Sequence, residues 1–207
     1  MAAADRELIK QFQAGNRAAF DELVRRHYNR AYAIAYRMLG DQDLAQDAVQ
    51  AAFLRAYRGL PSYKQSAAFT TWLYRIVVNV CLDTSRRRNR TPATSLDTSP
   101  EDEGPSLGER LPDDGQSPEE VLLQRERALA VQEALLALSP RYRTVLVLYE
   151  VQGLAYEEVA EVLKVPVGTV KSRLNRARAA FAEQFAERLE LFGLAPGQRR
   201  GVETDEE

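Results

Sequence analysis

The chain has 207 residues, 45% apolar, 28% charged and 8% aromatic, with a net charge of -2, one cysteine and one histidine. That length holds one ordinary domain or two small ones, and the apolar fraction is enough to build a core, which excludes disorder throughout. A lone Cys81 and a lone His27 exclude an internal disulfide scaffold and the usual Cys/His zinc folds, so neither metal nor cofactor is expected. No run reaches the ~18–20 apolar residues of a membrane span. The N-terminus offers only Leu8-Ile9 among Asp5, Arg6, Glu7 and Lys10, so no signal peptide and no membrane insertion are expected, and the cytoplasm is the expected location.

Charge is segregated along the chain: residues 1–90 carry +7, residues 91–120 carry -8, residues 121–202 carry +3 and residues 203–207 carry -4. Two basic blocks flank an acidic one, so the overall charge does not argue against a partner with phosphates. In the first block Phe20, Leu23, Val24, His27, Ala31, Ile34, Ala35 and Met38 recur at helical spacing and stop at Gly40. His27 lies on that stripe and is expected to be a packed core histidine. A second helix carries Val49, Phe53, Ala56, Tyr57 and Leu60 and stops at Pro61. Its opposite face carries Asp43, Asp47, Gln50 and Leu54, a strip that suits either plain solvation or a basic partner helix.

After the polar loop 62–66 a third helix is expected through FTTWLYRIVVNVCLD into Arg86, Arg87, Arg88 and Arg90. It holds Cys81, expected to be an inert core thiol. Aromatic and basic residues interleave at the loop-helix junction: Tyr63, Lys64, Phe69, Trp72, Tyr74, Arg75 and Asn79, with Thr70 and Thr71 among them. Stacking platforms plus cations hold single-stranded nucleic acid. Aromatics at helical spacing also build cores, and both readings stand at this point.

Residues 91–117 are rich in Pro, Gly, Ser and acid, with no apolar periodicity, and read as a flexible linker. A solvated charge run is the plainer reading of its acidity; a mobile polyanion competing with nucleic acid for basic surfaces is the sharper one. The expected units are therefore 1–90 and 118–192, followed by an acidic tail, 193–207. In the second unit Val121, Ala128 and Leu135, and Leu122, Leu129 and Leu136, repeat every seven residues up to Ser139-Pro140. The run Val145-Leu146-Val147-Leu148 has strand propensity, yet its helical neighbours and the lack of a strand partner assign it to a helix.

A short amphipathic helix is expected over Tyr156–Leu163, with Val159, Ala160 and Leu163 on one face. Lys164-Val165-Pro166-Val167-Gly168 then breaks it, and a second helix follows with Val170, Leu174 and Ala177 inward. Two short helices joined by a tight turn form the helix-turn-helix layout, whose second helix enters the major groove. Its outward face carries Thr169, Lys171, Ser172, Arg173, Asn175, Arg176 and Arg178, and no acidic residue occurs between Val167 and Arg178. Arginine pairs with guanine and asparagine with adenine through two hydrogen bonds each, so this is a DNA-reading chemistry. The same residues also suit a solvated arginine-rich helix. Lys164 occupies a turn position where glycine is frequent, at a steric cost. The whole chain reads as all-α: two small helical domains joined by a flexible acidic linker.

The order of FDELVRRHYNRAYAIAYRMLGDQDLAQDAVQAAFLRAYRGLPSY, AFTTWLYRIVVNVCLD, an acidic linker and LSPRYRTVLVLYEVQGLAYEEVAEVLKVPVGTVKSRLNRARAAF resembles a bacterial RNA polymerase sigma factor of the extracytoplasmic-function group. The resemblance covers about 8–90 and 118–185. It implies that 1–90 is a region 2-like helical domain that binds core RNA polymerase and opens and reads the minus-10 element. It implies that 118–192 is a region 4-like helix-turn-helix domain that reads minus-35 duplex. It implies that Asp43, Asp47, Gln50 and Leu54 meet the clamp helices of the largest polymerase subunit, and that the second domain meets the flap. Tyr63, Lys64, Phe69, Trp72, Tyr74, Arg75 and Asn79 would hold melted minus-10 bases, and Thr169, Lys171, Ser172, Arg173, Asn175 and Arg176 would read minus-35 DNA. An anti-sigma factor is an expected partner, with membrane tethering only through it. Polymerase performs the chemistry, so no catalytic residue is expected.

Two other classes fit less of the chain. A free-standing helix-turn-helix transcriptional regulator leaves the aromatic-basic junction of the first block unexplained. A metal-dependent nucleic-acid enzyme needs converging carboxylates, and Asp41, Asp43 and Asp47 do not share one helix face.

Overall fold

The computed structural model describes residues 2–64, 68–90 and 117–191. The predicted linker lies outside the described residues except for Ser117, as do the acidic tail and loop positions 65–67. The first half comprises α1 (Ala2–Gln13), α2 (Ala18–Leu39), α3 (Gln42–Gly59), a 3-10 turn (Leu60–Ser62) and α4 (Phe69–Arg90). The second comprises α5 (Pro118–Ala137), α6 (Pro140–Leu146), a π-helical turn (Val147–Val151), α7 (Tyr156–Leu163) and α8 (Val167–Leu191).

Local chemistry sets the boundaries. Gly40 ends α2 in the left-handed region, at φ 73°, with its N–H on the Tyr36 carbonyl at 2.8 Å. Asp41 then caps α3, its side chain accepting from the Leu44 N–H at 2.9 Å. Ser117 and Glu120 form a reciprocal capping box ahead of α5, with Pro118 in the first turn.

The helix α1 was not anticipated from sequence. It buries Asp5, Ile9 and Phe12, positions i, i+4 and i+7, and the carboxylate at the first of them disguises the stripe. Asp5 Oδ2 lies 3.1 Å from His27 Nε2, and the His27 ring packs edge-on to Phe69. His27 is fully buried, as expected; burial pushes its imidazole below the usual histidine value against the pull of the Asp5 carboxylate. Cys81 is also fully buried, and burial pushes its thiol up to about 12, consistent with an inert core thiol.

Three details of the second half correct the sequence reading. Leu122 and Leu129 are more than half exposed, because α8 and α2 cover the C-terminal part of α5, where Ala130, Ala134, Leu135 and Leu138 are buried. A seven-residue repeat marks a stripe without saying how far a neighbour extends over it. Val145–Leu148 is helical, as expected, but α6 passes at Val147 into a π-helical turn closed by the Gln152 N–H on the Val147 carbonyl at 3.1 Å. The break before the recognition helix is also shorter than expected, since Val167 and Gly168 already belong to the first turn of α8.

The two halves sit directly against each other, α2 on α5 and α6, and α4 on α7. Buried side chains from both belong to one continuous apolar cluster. The Gln132 amide donates to the Tyr36 carbonyl at 3.2 Å and accepts from Arg37 at 3.0 Å. Arg143 spans the seam, donating to the carbonyls of Leu135, Leu136 and Leu138 at the end of α5 and to that of Met38 near the end of α2. Two helix C-termini, each equivalent to roughly half a negative charge, thereby share one guanidinium.

Candidate nucleic-acid interface

The helix-turn-helix is built by α7, a three-residue turn and α8. Lys164 ends α7 at φ 54°, ψ 48°, the left-handed conformation for which glycine is the usual residue. The Val165 N–H bonds back to Ala160, and the Pro166 carbonyl starts α8 by accepting from Thr169 and Val170 at 2.9 and 3.2 Å. Left-handed backbone costs a non-glycine residue roughly 1–2 kcal/mol, and glycine loses about 0.5–1 kcal/mol more entropy on folding. Lys164→Gly is therefore expected to stabilise the chain by about 0.5–1 kcal/mol in urea denaturation; an unchanged or lowered stability would mean that the turn carries no strain.

Val170, Leu174 and Ala177 are buried against the preceding helices, as predicted. That fixes the roll of α8 and leaves Lys171, Ser172, Asn175 and Arg176 exposed, with Thr169 and Arg173 half-buried beside them. The Ser172 hydroxyl donates to the Thr169 carbonyl at 3.1 Å. Arg178 differs from its neighbours: it pairs with Glu150 at 2.6 Å and lies over the Tyr149 ring at 5.4 Å. Lys171 lies over the Tyr156 ring at 5.5 Å, and the two tyrosine rings stack at 4.8 Å. Sequence reasoning missed this aromatic pair, which places two α8 cations along one side of the recognition face. Its only sequence signal is two tyrosines bracketing the Gly153 turn.

On the first half, Asp43, Asp47, Gln50 and Leu54 share one exposed face of α3, with Leu54 59% exposed. Ala45, Ala48, Val49, Ala52, Phe53 and Ala56 hold the opposite face in the core. A groove between α3 and α4 runs beside the strip and is rimmed by Asp83, Arg87 and Arg88.

The residues predicted at the α3–α4 junction separate into two groups. Lys64 and Asn79 are exposed, and Trp72 and Arg75 are half-buried. Tyr63, Phe69 and Tyr74 are buried, so of the two readings left open by the sequence theirs is the core one. Tyr63 packs on Trp72 at 4.9 Å and on Phe69 at 6.4 Å, so these rings form one cluster at the start of α4. Burying their apolar area in the small α1–α4 bundle outweighs leaving them open to water. Arg75 reaches across the seam, its guanidinium donating to the Glu161 carbonyl on α7 at 2.7 Å.

A polar strip on α3, a loop-helix junction carrying Lys64 and Arg75, and the cationic second helix of a helix-turn-helix are thus three separate surfaces on one all-helical frame. Family models match both halves: Sigma-70 region 2 over residues 23–91 and Sigma-70, region 4 over residues 128–181. The ECF RNA polymerase sigma factor SigW of Bacillus subtilis is 38% identical over 177 residues, 85% of this chain and 94% of that protein. The RNA polymerase sigma-H factor of Pseudomonas aeruginosa is 39% identical over 176 residues, 85% of this chain and 91% of that protein. The solved structure of CnrH in complex with the cytosolic domain of CnrY aligns with TM-score 0.61 and 29% identity, covering 87% of this chain and 96% of that one. The RpoE sigma factor of Bartonella quintana, solved with the anti-sigma factor NepR, shares the fold at TM-score 0.58 and 23% identity, over 80% of this chain and 95% of that one. The chain belongs to the ECF RNA polymerase sigma factors, and it directs promoter-specific transcription initiation. No helix among the described residues is long and apolar enough to cross a membrane.

Proposed function

We propose that the three surfaces divide the work of initiation. The α3 face of Asp43, Asp47, Gln50 and Leu54 takes the clamp helices of core RNA polymerase, and the second half takes the flap. Thr169, Lys171, Ser172, Arg173, Asn175 and Arg176 read the minus-35 duplex. Lys64, Trp72, Arg75 and Asn79 hold the melted minus-10 strand over the floor of Tyr63, Phe69 and Tyr74. The observation that carries this reading is the exposed, acid-free α8 face, rolled outward by the burial of Val170, Leu174 and Ala177. Unstacking costs a few kcal/mol per base step and is offset by binding, so the reading needs no catalytic group in this chain. Arg75 gives one Nη2–H to the Glu161 carbonyl, and releasing that bond as the two halves part would turn its whole donor fork to the promoter. An anti-sigma factor that keeps them together is the partner this arrangement suits.

Two substitutions test the assignment. Arg176→Ala is expected to weaken binding to cognate minus-35 duplex by about 1–3 kcal/mol with core binding intact. Equal loss on every DNA sequence would make Arg176 a phosphate contact. Asp47→Arg is expected to lower affinity for core polymerase without changing the thermal transition; unchanged affinity would remove α3 from the interface.

A further inference from the structure

We propose that Gln13 is a positioning residue for Tyr63 and Lys64, a proposal that rests on the minus-10 function assigned above to the α3–α4 junction. The Gln13 side chain at the end of α1 donates from Nε2 to the carbonyls of Leu60 and Tyr63, both at 3.0 Å and 47 and 50 residues away in sequence. An amide nitrogen has two N–H donors, so one group satisfies both carbonyls. These carbonyls bracket the 3-10 turn Leu60–Ser62, which is itself closed by the Tyr63 N–H on Leu60 at 3.2 Å and by the Ser62 hydroxyl on Gly59 at 3.0 Å.

Tyr63 is where the turn hands over to the loop. Its ring is wedged on Trp72 and Phe69 from the first turn of α4, and the Trp72 ring lies so close over Gly59 that an added Cβ would come within 3.2 Å of it. Tyr63 is therefore held both at the backbone by Gln13 and at the ring by α4. Lys64 is the next residue. Loss of the amide takes the Gln13 donor from the Tyr63 carbonyl and loosens the backbone that places Lys64, which lowers both strand affinity and base discrimination.

The test uses full-length chain in holoenzyme and a non-template oligonucleotide spanning a minus-10 element mapped with the wild type. Gln13→Leu removes the donors, Gln13→Glu sets a carboxylate against two carbonyl oxygens, and Gln13→Lys restores donors on a chain of similar reach. The expected result is about a tenfold loss of strand affinity and weaker discrimination against a mismatched base for Q13L and Q13E, with Q13K near wild type. Core affinity and minus-35 duplex affinity stay unchanged. In the free chain the emission of Trp72, its sole tryptophan, shifts in Q13L and Q13E, which reports the junction even if strand binding in holoenzyme is too weak to measure. Wild-type strand affinity and discrimination in Q13L and Q13E would overturn the proposal, as would a parallel loss of core and minus-35 binding, which marks a general fold defect. Absence of strand preference in the wild type itself would overturn the minus-10 reading, and the proposal with it.

Discussion

Arg143→Met is expected to cost about 3 kcal/mol of unfolding free energy, since hydrogen bonds to a charged group contribute roughly 1.5–3 kcal/mol each and do not add fully. Four carbonyls lose the guanidinium at once, three at the end of α5 and one near the end of α2, and of these Leu135 keeps the Leu138 N–H. The guanidinium has no carboxylate among these partners, and burial pushes its pKa down, so the helix ends supply its compensation. Arg143→Lys keeps the charge but offers a point donor where a fork is used, and is expected to recover roughly half of the loss. Urea denaturation of the three proteins checks this; a change below about 0.5 kcal/mol for Arg143→Met would show that the seam does not depend on it.

Gly40→Ala carries the second large effect, about 2–4 kcal/mol. Roughly 1–2 kcal/mol comes from forcing alanine into left-handed backbone, and about 1–2 kcal/mol from overpacking, since the Leu136 side chain that must move is only half-buried. The overpacking has a named partner, because a Cβ on Gly40 runs into the Leu136 side chain of the other half. Leu136→Ala should therefore relieve part of the Gly40→Ala penalty, giving a double-mutant coupling of about 1–2 kcal/mol. Additivity within about 0.5 kcal/mol would mean that the halves do not meet at this point in solution.

Much of the architecture was legible in the sequence because its signals are local. Gly40, Pro61 and Pro166 punctuate helices wherever they occur, and the stripes of α2, α3 and α8 predict their own buried faces. The exposed faces Asp43-Asp47-Gln50-Leu54 and Lys171-Ser172-Asn175-Arg176 followed, because the roll of a helix is set by its apolar side. What escaped was what depends on a distant neighbour. The residue types of Tyr63, Phe69 and Tyr74 fit a stacking platform and a core alike, and only the packing of α4 against α2 and α3 decides for the core. Asp5 is an acidic residue in an inward position, which conceals α1 until His27 is seen beside it. Gln13, Gln132 and Arg143 act through carbonyls 47, 96 and 105 residues away, a distance at which composition and periodicity carry no signal.

The packed seam also bears on function. Arg75 divides its donors between Glu161 and, in our reading, minus-10 DNA, so the closed arrangement leaves it fewer donors for the promoter than a parted one. Substitutions at the seam are therefore expected to shift the balance between these states as well as stability.

The decisive measurement is transcription in vitro with bacterial core RNA polymerase, with and without this protein, on fragmented genomic DNA from its source organism, followed by sequencing of transcript 5′ ends. Discrete new starts that share two upstream elements are the predicted result. Failure to bind core polymerase, with no new starts, would contradict the sigma role and leave the α8 face to a free-standing DNA-binding regulator.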